Sequence, residues 1–197
     1  GLKLNEGYKL KLDNFNNVQY SASFSLGGQT LPVIYDTGSF EIIVLSTLCS
    51  SCARGHTVYN SKNSSSFADS GAIAEHVFGS GRVRSEKGYE EVRLGGAASP
   101  CAAPRMPFWQ VISHGIQVWD NTAHFSGIVG LGHPERVPLG YGADSQRAQS
   151  MLSAMHIDRF TICLERGRAA APGWLWAGGT GGAQPQARLK VVGQEDW

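Results

Sequence analysis

The sequence lacks an excess of charge of either sign, and this excludes several kinds of partner. Its 197 residues include 17 Lys and Arg against 16 Asp and Glu, which gives a formal net charge of +1. A chain so nearly neutral creates no overall field that attracts a polyanion. We therefore expect neither nucleic acid nor an anionic membrane surface as a partner.

Long apolar runs and cysteines are also scarce. The longest uninterrupted apolar stretch is far shorter than the roughly 20 residues that cross a bilayer as a helix, so no transmembrane segment is expected. Four cysteines are few for a scaffold built on disulfides, although they allow one or two bridges in an oxidising compartment. The chain begins at Gly1 without an initiator Met or an apolar leader, from which we expect a processed product or an excised piece.

Glycine, in contrast, is abundant and indicates the class of fold. The 25 glycines fall between short apolar runs rich in Val, Ile, Phe and Tyr, which predicts a mainly β protein with many turns. With 42% hydrophobic residues, the chain can bury a core as one domain over residues 1–197. Helical periodicity predicts one clear helix, from Asp144 to Ile157, with Asp144 or Ser145 as its cap.

One apolar run ends in a polar turn that carries a carboxylate. Leu31 and Val33 alternate with their neighbours as in a buried strand, and Gly38 allows a sharp exit after Asp36. Residues 40–46 then resume as a strand. The pattern presents Asp36 at a strand end, although an Asx turn that only caps backbone amides also accounts for the tripeptide taken alone.

The segment Cys49-Ser50-Ser51-Cys52 has several interpretations. A zinc half-site would need a second pair of ligands, and Cys101 and Cys163 are single and distant, although His56 is near. A thioredoxin-type motif would need a helix that begins at the first cysteine, yet this stretch is a loop rich in Ser and Gly. Two free surface thiols are a further possibility.

Two later segments complete a pattern that begins at Asp36. Residues 73–96 are typical of a β-hairpin with a glycine-rich tip and an amphipathic returning strand. Phe125 to Gly132, Phe-Ser-Gly-Ile-Val-Gly-Leu-Gly, reads as a strand in which two backbones approach closely. Together with Asp36-Thr37-Gly38-Ser39, these segments resemble the amino-terminal lobe of the pepsin-like aspartic proteases (family A1).

The resemblance covers nearly the whole chain and implies both a fold and a site. The implied fold is a single mainly β lobe of the six-stranded barrel or sheet type, with a flap hairpin and one helix, and without a second lobe. Asp36 is implied as the catalytic residue and Ser39 as the hydroxyl that orients it. The other implied site residues are the turn residues Thr37 and Gly38 and the flap or substrate contacts Phe78, Gly79, Ser80 and Gly81.

The family often closes a small disulfide loop after the catalytic turn, so the resemblance implies a bridge between Cys49 and Cys52. A secretory or endolysosomal-type compartment is then expected. The family needs no cofactor and no metal, and none is expected here.

Three positions depart from the family pattern. The flap Tyr and its partner Trp correspond to Phe78 and, in the strand after the turn, Ile43, so both polar ends of their hydrogen bond are replaced together. The acidic residue before Gly127 is Ser126. Because the paired replacement leaves no buried donor unsatisfied, it is consistent as structure, but it lowers the expectation of activity.

The chemistry of the family sets the functional hypothesis. Two aspartates share one proton, one as base on a water and the other as donor to the carbonyl. We expect Asp36 to be the only aspartate in such a turn, so the isolated chain should be inactive and a second protease lobe should complete it on a peptide or protein substrate. A second copy could also supply that carboxylate. The alternative is an inactive subunit with a structural or binding role in a larger assembly.

Overall fold

The computed structural model describes residues 7–52, 55–132, 150–165 and 171–179. Within them the chain forms ten strands, two short helices and one 3₁₀ turn at Ser61–Asn63. The strands are β1 Tyr8–Phe15, β2 Gln19–Leu26, β3 Gln29–Asp36, β4 Ile42–Leu45, β5 Ala68–Phe78, β6 Gly81–Leu94, β7 Ala102–His114, β8 Gly127–Gly130, β9 Phe160–Cys163 and β10 Gly173–Ala177. The helices are α1 Gln117–Asn121 and α2 Met151–Ala154.

Six of the strands pair in a closed ring, which is the barrel of the lobe. The strands follow one another in the order β2, β3, β8, β4, β7 and β6, and the pairing of β6 with β2 closes the ring. The other four extend it, since β5 pairs with β6, and β1, β10 and β9 continue from β2. The mainly β fold and the six-stranded type expected from the sequence are confirmed.

Strand β8 lies between the strand that enters the Asp36 turn and the strand that leaves it. It runs parallel to β3, with Gly130 opposite Asp36, and antiparallel to β4. The Leu131 N–H donates to the Asp36 carbonyl at 2.7 Å, and the Gly130 N–H donates to the Glu41 carbonyl at 2.8 Å. Both sides of the turn are therefore bonded to one strand.

The glycines of β8 make this arrangement possible. A Cβ on Gly130 would lie 2.5 Å from backbone atoms of Phe40, and one on Gly127 would lie 2.8 Å from the carbonyl oxygen of Ile43. Both distances are far below van der Waals contact, so any side chain would push the strands apart. The close backbone approach expected from Phe-Ser-Gly-Ile-Val-Gly is confirmed.

Strand β4, which leaves the turn, is buried on both faces, and this explains its continuous apolar sequence. On β4, Ile42 and Val44 pack into one apolar core, while Ile43 and Leu45 pack into another. All four are at most 2% exposed. Because burial of one such side chain contributes about 1.5–3 kcal/mol, β4 ties the two cores firmly together.

The Ser-rich segment before β5 is held by a buried carboxylate. Glu90 is 1% exposed and accepts hydrogen bonds from the hydroxyls of Tyr59, at 3.1 Å, and Ser64, at 2.8 Å, and also from Ser66. Burial, and then the charge of Glu90, raise the pKa of the Tyr59 hydroxyl, which therefore stays protonated as a donor. These bonds fix the loop that leads into β5.

Two expectations about elements need correction. The expected helix from Asp144 to Ile157 lies outside the described residues before residue 150. From there it is the single turn α2, which Ser150 caps by accepting the Ser153 N–H at 3.2 Å and which ends at Ala154, so the expected end at Ile157 is wrong. Helix α1 is not predicted by the pattern, since it is one turn long and has no side-chain cap. Neither helix is long and apolar enough to span a membrane.

We predict that Gly130→Ala will lower the free energy of unfolding by about 1–3 kcal/mol, the usual cost of an overpacked core, because its Cβ would collide with the Phe40 backbone. Urea unfolding followed by fluorescence measures the change. Gly96→Ala is the matched control, because a Cβ there meets no atom within 4 Å, and it should leave stability unchanged or slightly raised. Equal stability of the two variants would contradict the close approach.

Candidate active site

Asp36 is the last residue of β3, and its side chain is partly exposed. Its Oδ1 accepts the Gly38 N–H at 2.9 Å, which shapes the Asx turn. Its backbone is bonded to β8, as described above, so the position of the carboxylate is set by the strand and by the turn together. A partly exposed carboxylate at a strand end fixed by main-chain bonds is suited to act on a ligand.

The other turn residues are placed unequally around this carboxylate. Thr37 and Gly38 are exposed, and the carbonyl of Ser39 accepts the Gly132 N–H at 2.8 Å. The Ser39 hydroxyl is buried and has no hydrogen-bond partner within the described part of the chain. The bond from Ser39 to Asp36 that the resemblance implies is thus not formed here, and the orienting role of Ser39 stays a prediction.

A second turn of the same tripeptide type corrects the expectation that Asp36 is alone. Asp69-Ser70-Gly71 has Ser where the Asp36 turn has Thr37, and the Gly71 N–H donates to Asp69 Oδ1 at 2.9 Å. It lies in an irregular, exposed part of β5, where the pairing with β6 shifts, and no buried strand leads into it. Its Asx turn therefore matches that of Asp36 in local geometry but not in its setting.

The expected hairpin is formed by β5 and β6, with a two-residue tip. Phe78 pairs with Gly81, so Gly79 and Ser80 form the exposed turn. Gly81 has a φ of 148°, and a Cβ there would lie 2.5 Å from the Gly115 carbonyl oxygen. A glycine is therefore required where the hairpin tip meets the end of β7. That this hairpin closes over a substrate stays a prediction.

The two apolar replacements noted in the sequence belong to the same core. Ile43 is 2% exposed, and Phe78 packs against the apolar cluster that contains it. Ser126, the third departure, is fully buried, and its hydroxyl has no partner among the residues described. The hairpin thus rests on an apolar surface where the family pattern has a polar bond.

Cys49 and Cys52 form a disulfide, as expected. The ligand atoms of Cys49, Cys52 and His114 all lie within 4.8 Å of one another, which is a spacing that can hold a metal ion. The bridge consumes both sulfurs, however, and a cysteine binds metal as a thiolate. The loop in its oxidised form is therefore a structural closure beside helix α1, where His56 Nε2 lies 2.7 Å from the Trp119 carbonyl oxygen.

Sequence reasoning missed three residues beneath the hairpin. Glu41, His76 and Trp109 come from separate segments and are joined through the Glu41 carboxylate. A signal was available, since His76 has the same strand parity as Phe78 and so faces inward with it. Polar residues at inward positions of a strand are informative because they need partners.

Comparison with known proteins decides the family. The family model of eukaryotic aspartyl proteases matches residues 19–192, which is most of the chain. The chain belongs to this family. The aspartyl protease match includes the Asp36 turn, the β5–β6 hairpin and β8, which are the segments that carried the resemblance.

Individual aspartyl proteases show how much of a relative the chain covers. It is 33% identical to renin-2 of Mus musculus over 141 residues, 66% of this chain and 32% of that protein. It is 32% identical to napsin-A of Mus musculus over 133 residues, 62% of this chain and 29% of that protein. Rhizopuspepsin-1 of Rhizopus niveus is 38% identical over 88 residues. The match spans about a third of the renin and napsin lengths.

The cysteines allow a direct test of the loop beside the site. In the denatured but unreduced chain, we predict that alkylation will label Cys101 and Cys163 and that reduction will expose Cys49 and Cys52. In the native chain Cys163 should react first, because it is exposed, whereas Cys101 is buried and burial raises the pKa of its thiol. Peptide mass spectrometry assigns the labels, and labelling of Cys49 or Cys52 before reduction would contradict the bridge.

Proposed function

We propose that this chain supplies one of two catalytic aspartates, Asp36, for peptide-bond hydrolysis when it is paired with a second protease lobe. The observation that carries the proposal is the partly exposed Asp36 carboxylate at the end of β3, with its backbone bonded to β8. Membership of the aspartyl protease family supports the reaction class. The hairpin tip at Gly79 and Ser80 would contact the bound peptide.

The chemistry needs two carboxylates that share one proton. The ionised one removes a proton from water as the water oxygen bonds to the peptide carbonyl carbon, and the protonated one donates to the carbonyl oxygen. Proton transfer to the departing nitrogen then accompanies cleavage of the C–N bond. Asp36 can take one of these roles at a time, so a second aspartate must come from another lobe.

A different function is favoured by the altered surroundings of Asp36. Phe78 and Ile43 cannot form the polar bond that the family pattern has at these two positions, Ser126 replaces an acidic residue, and the Ser39 hydroxyl does not reach Asp36. These features fit a chain that keeps the lobe as a structural or binding subunit of a larger assembly. In that case Asp36 serves only its Asx turn, as Asp69 does.

We predict that the longest form of the protein obtained from its natural source cleaves a mixed peptide library at acid pH. Asp36→Asn should lower this turnover by at least about a hundredfold, since a catalytic carboxylate is lost. Asp69→Asn is the matched control, because Asp69 makes the same 2.9 Å bond to a glycine two residues on, and it should leave turnover unchanged.

The isolated 197-residue chain should cleave nothing under the same conditions. Turnover by that chain, abolished by Asp36→Asn and by a statine-type inhibitor, would contradict the need for another lobe and favour pairing of two copies. Inactivity of the longest natural form would contradict the catalytic proposal and leave the structural subunit.

A further inference from the structure

We propose that Glu41, His76 and Trp109 form a hairpin anchor that positions the β5–β6 hairpin relative to the Asp36 turn. The proposal rests on the proposed function in one respect, since it takes the hairpin to be the element that closes over a peptide. His76 and Glu41 are then positioning residues, which act through the hairpin and not on the substrate.

The three side chains meet although they come from three parts of the chain. Glu41 Oε1 accepts the Trp109 Nε1–H at 2.8 Å, and Glu41 Oε2 lies 3.1 Å from His76 Nδ1. The imidazole also packs edge-on against the indole, with ring centroids 4.8 Å apart. One carboxylate therefore joins β5 of the hairpin to β7 of the barrel.

The three side chains of the anchor are mostly shielded from water, which strengthens the polar contacts between them. The side chains of His76 and Glu41 are 4% and 19% exposed, and Trp109 is 8% exposed. The Trp109 Nε1–H donates to a carboxylate that is mostly shielded from water, and a charge-assisted hydrogen bond of this kind is stronger than its exposed counterpart. Removal of a partner from such a carboxylate is costly. Since His76 Nε2 has no partner within the described residues, its polar attachment runs through Nδ1 to Glu41.

Glu41 connects the hairpin to the Asp36 turn itself. Its carbonyl oxygen accepts the Gly130 N–H at 2.8 Å, and Gly130 is the residue of β8 opposite Asp36. Its carboxylate holds His76, two residues before Phe78 at the hairpin tip. A shift of Glu41 would therefore move both the hairpin near its tip and the strand beside Asp36.

The anchor also accounts for the paired replacement of Phe78 and Ile43. On β5, His76 lies two residues before Phe78 on the same face, and Glu41, in the turn before β4, lies two residues before Ile43. Trp109 pairs in register with Ile43 on the neighbouring strand. The polar link between hairpin and strand is thus present, displaced by two residues on both sides.

The outward face of β5 offers no comparable attachment. Ile73 and Val77 are 55% and 71% exposed, and the ion pair between Glu75 and Arg82, at 2.6 Å, is exposed on the same hairpin. Exposed pairs of this kind contribute little. The Glu75–Arg82 pair is therefore a matched control for the buried pair of Glu41 and His76.

Amide hydrogen exchange on the full chain tests the anchor. His76→Phe and Glu41→Leu should each speed exchange in residues 73–86 by at least about tenfold, the scale expected when a mostly buried carboxylate loses its contact with the hairpin, while amides of β1 and β10 stay unchanged. Glu41→Gln, which keeps the shape and an acceptor, should have a smaller effect. Glu75→Ala should change hairpin exchange by less than about twofold.

The double variant separates a specific pair from general packing. If Glu41 and His76 act through their mutual contact, the increase in hairpin exchange rate in the double variant should be well below the product of the increases in the two single variants. If His76→Phe does not fold, Glu41→Gln and Glu41→Leu still test the anchor. Unchanged hairpin exchange, or equal acceleration in hairpin and barrel, would overturn it.

The readout does not depend on peptide cleavage. A loosened hairpin in a chain whose longest natural form is inactive would support the anchor and count against the proposed function. Peptide cleavage by the longest natural form, with hairpin exchange unchanged in the His76→Phe and Glu41→Leu variants, would support the proposed function and count against the anchor.

Discussion

The close passage of β8 between β3 and β4 is the constraint on which the rest of the lobe depends. It requires backbones to approach where a Cβ at Gly130 would stand 2.5 Å from Phe40. This approach lets Gly130 of β8 donate to the Glu41 carbonyl, and Leu131, the residue after β8, donate to the Asp36 carbonyl. The turn between them is thereby held by main-chain bonds, which do not depend on the side chain that the turn presents.

Because main-chain bonds hold the turn whatever the Asp36 side chain does, the same fold is consistent with a catalytic lobe and with a structural or binding subunit. The backbone bonds, the two apolar cores and the Cys49–Cys52 bridge would hold the turn whether or not Asp36 is catalytic. Catalysis additionally requires a second carboxylate and a positioned hairpin. Glu41 contacts both the scaffold and the hairpin, because its carbonyl accepts the Gly130 N–H and its carboxylate lies against His76.

Local patterns in the sequence predicted the main elements of the fold and the site. The apolar run into Asp36, the glycine-rich hairpin and the glycines of β8 each carry a backbone requirement that few residue types meet. Leu10 and Leu12 alternate with lysines along β1, and both are buried. Such features are readable because periodicity and special backbone geometry are properties of short segments.

Long-range contacts were harder to predict, for a physical reason. Strand β1 lies between β2 and β10, and β10 is about 165 residues away along the chain. The contact between Glu41 and His76 likewise joins distant segments: the inward position of His76 shows that it needs a partner, but its own segment does not show that the partner is Glu41. The Asp69 turn shows why the tripeptide alone predicts little: the three residues do not reveal whether a buried strand leads into them.

The most direct test of the account is the native mass of the protein purified from its natural source under non-denaturing conditions. The account predicts a species well above the 21.1 kDa of this chain, containing a second lobe with its own aspartate turn, either on the same polypeptide or tightly bound. A monomer of 21.1 kDa and nothing larger would contradict it, because Asp36 would then have no second carboxylate with which to work.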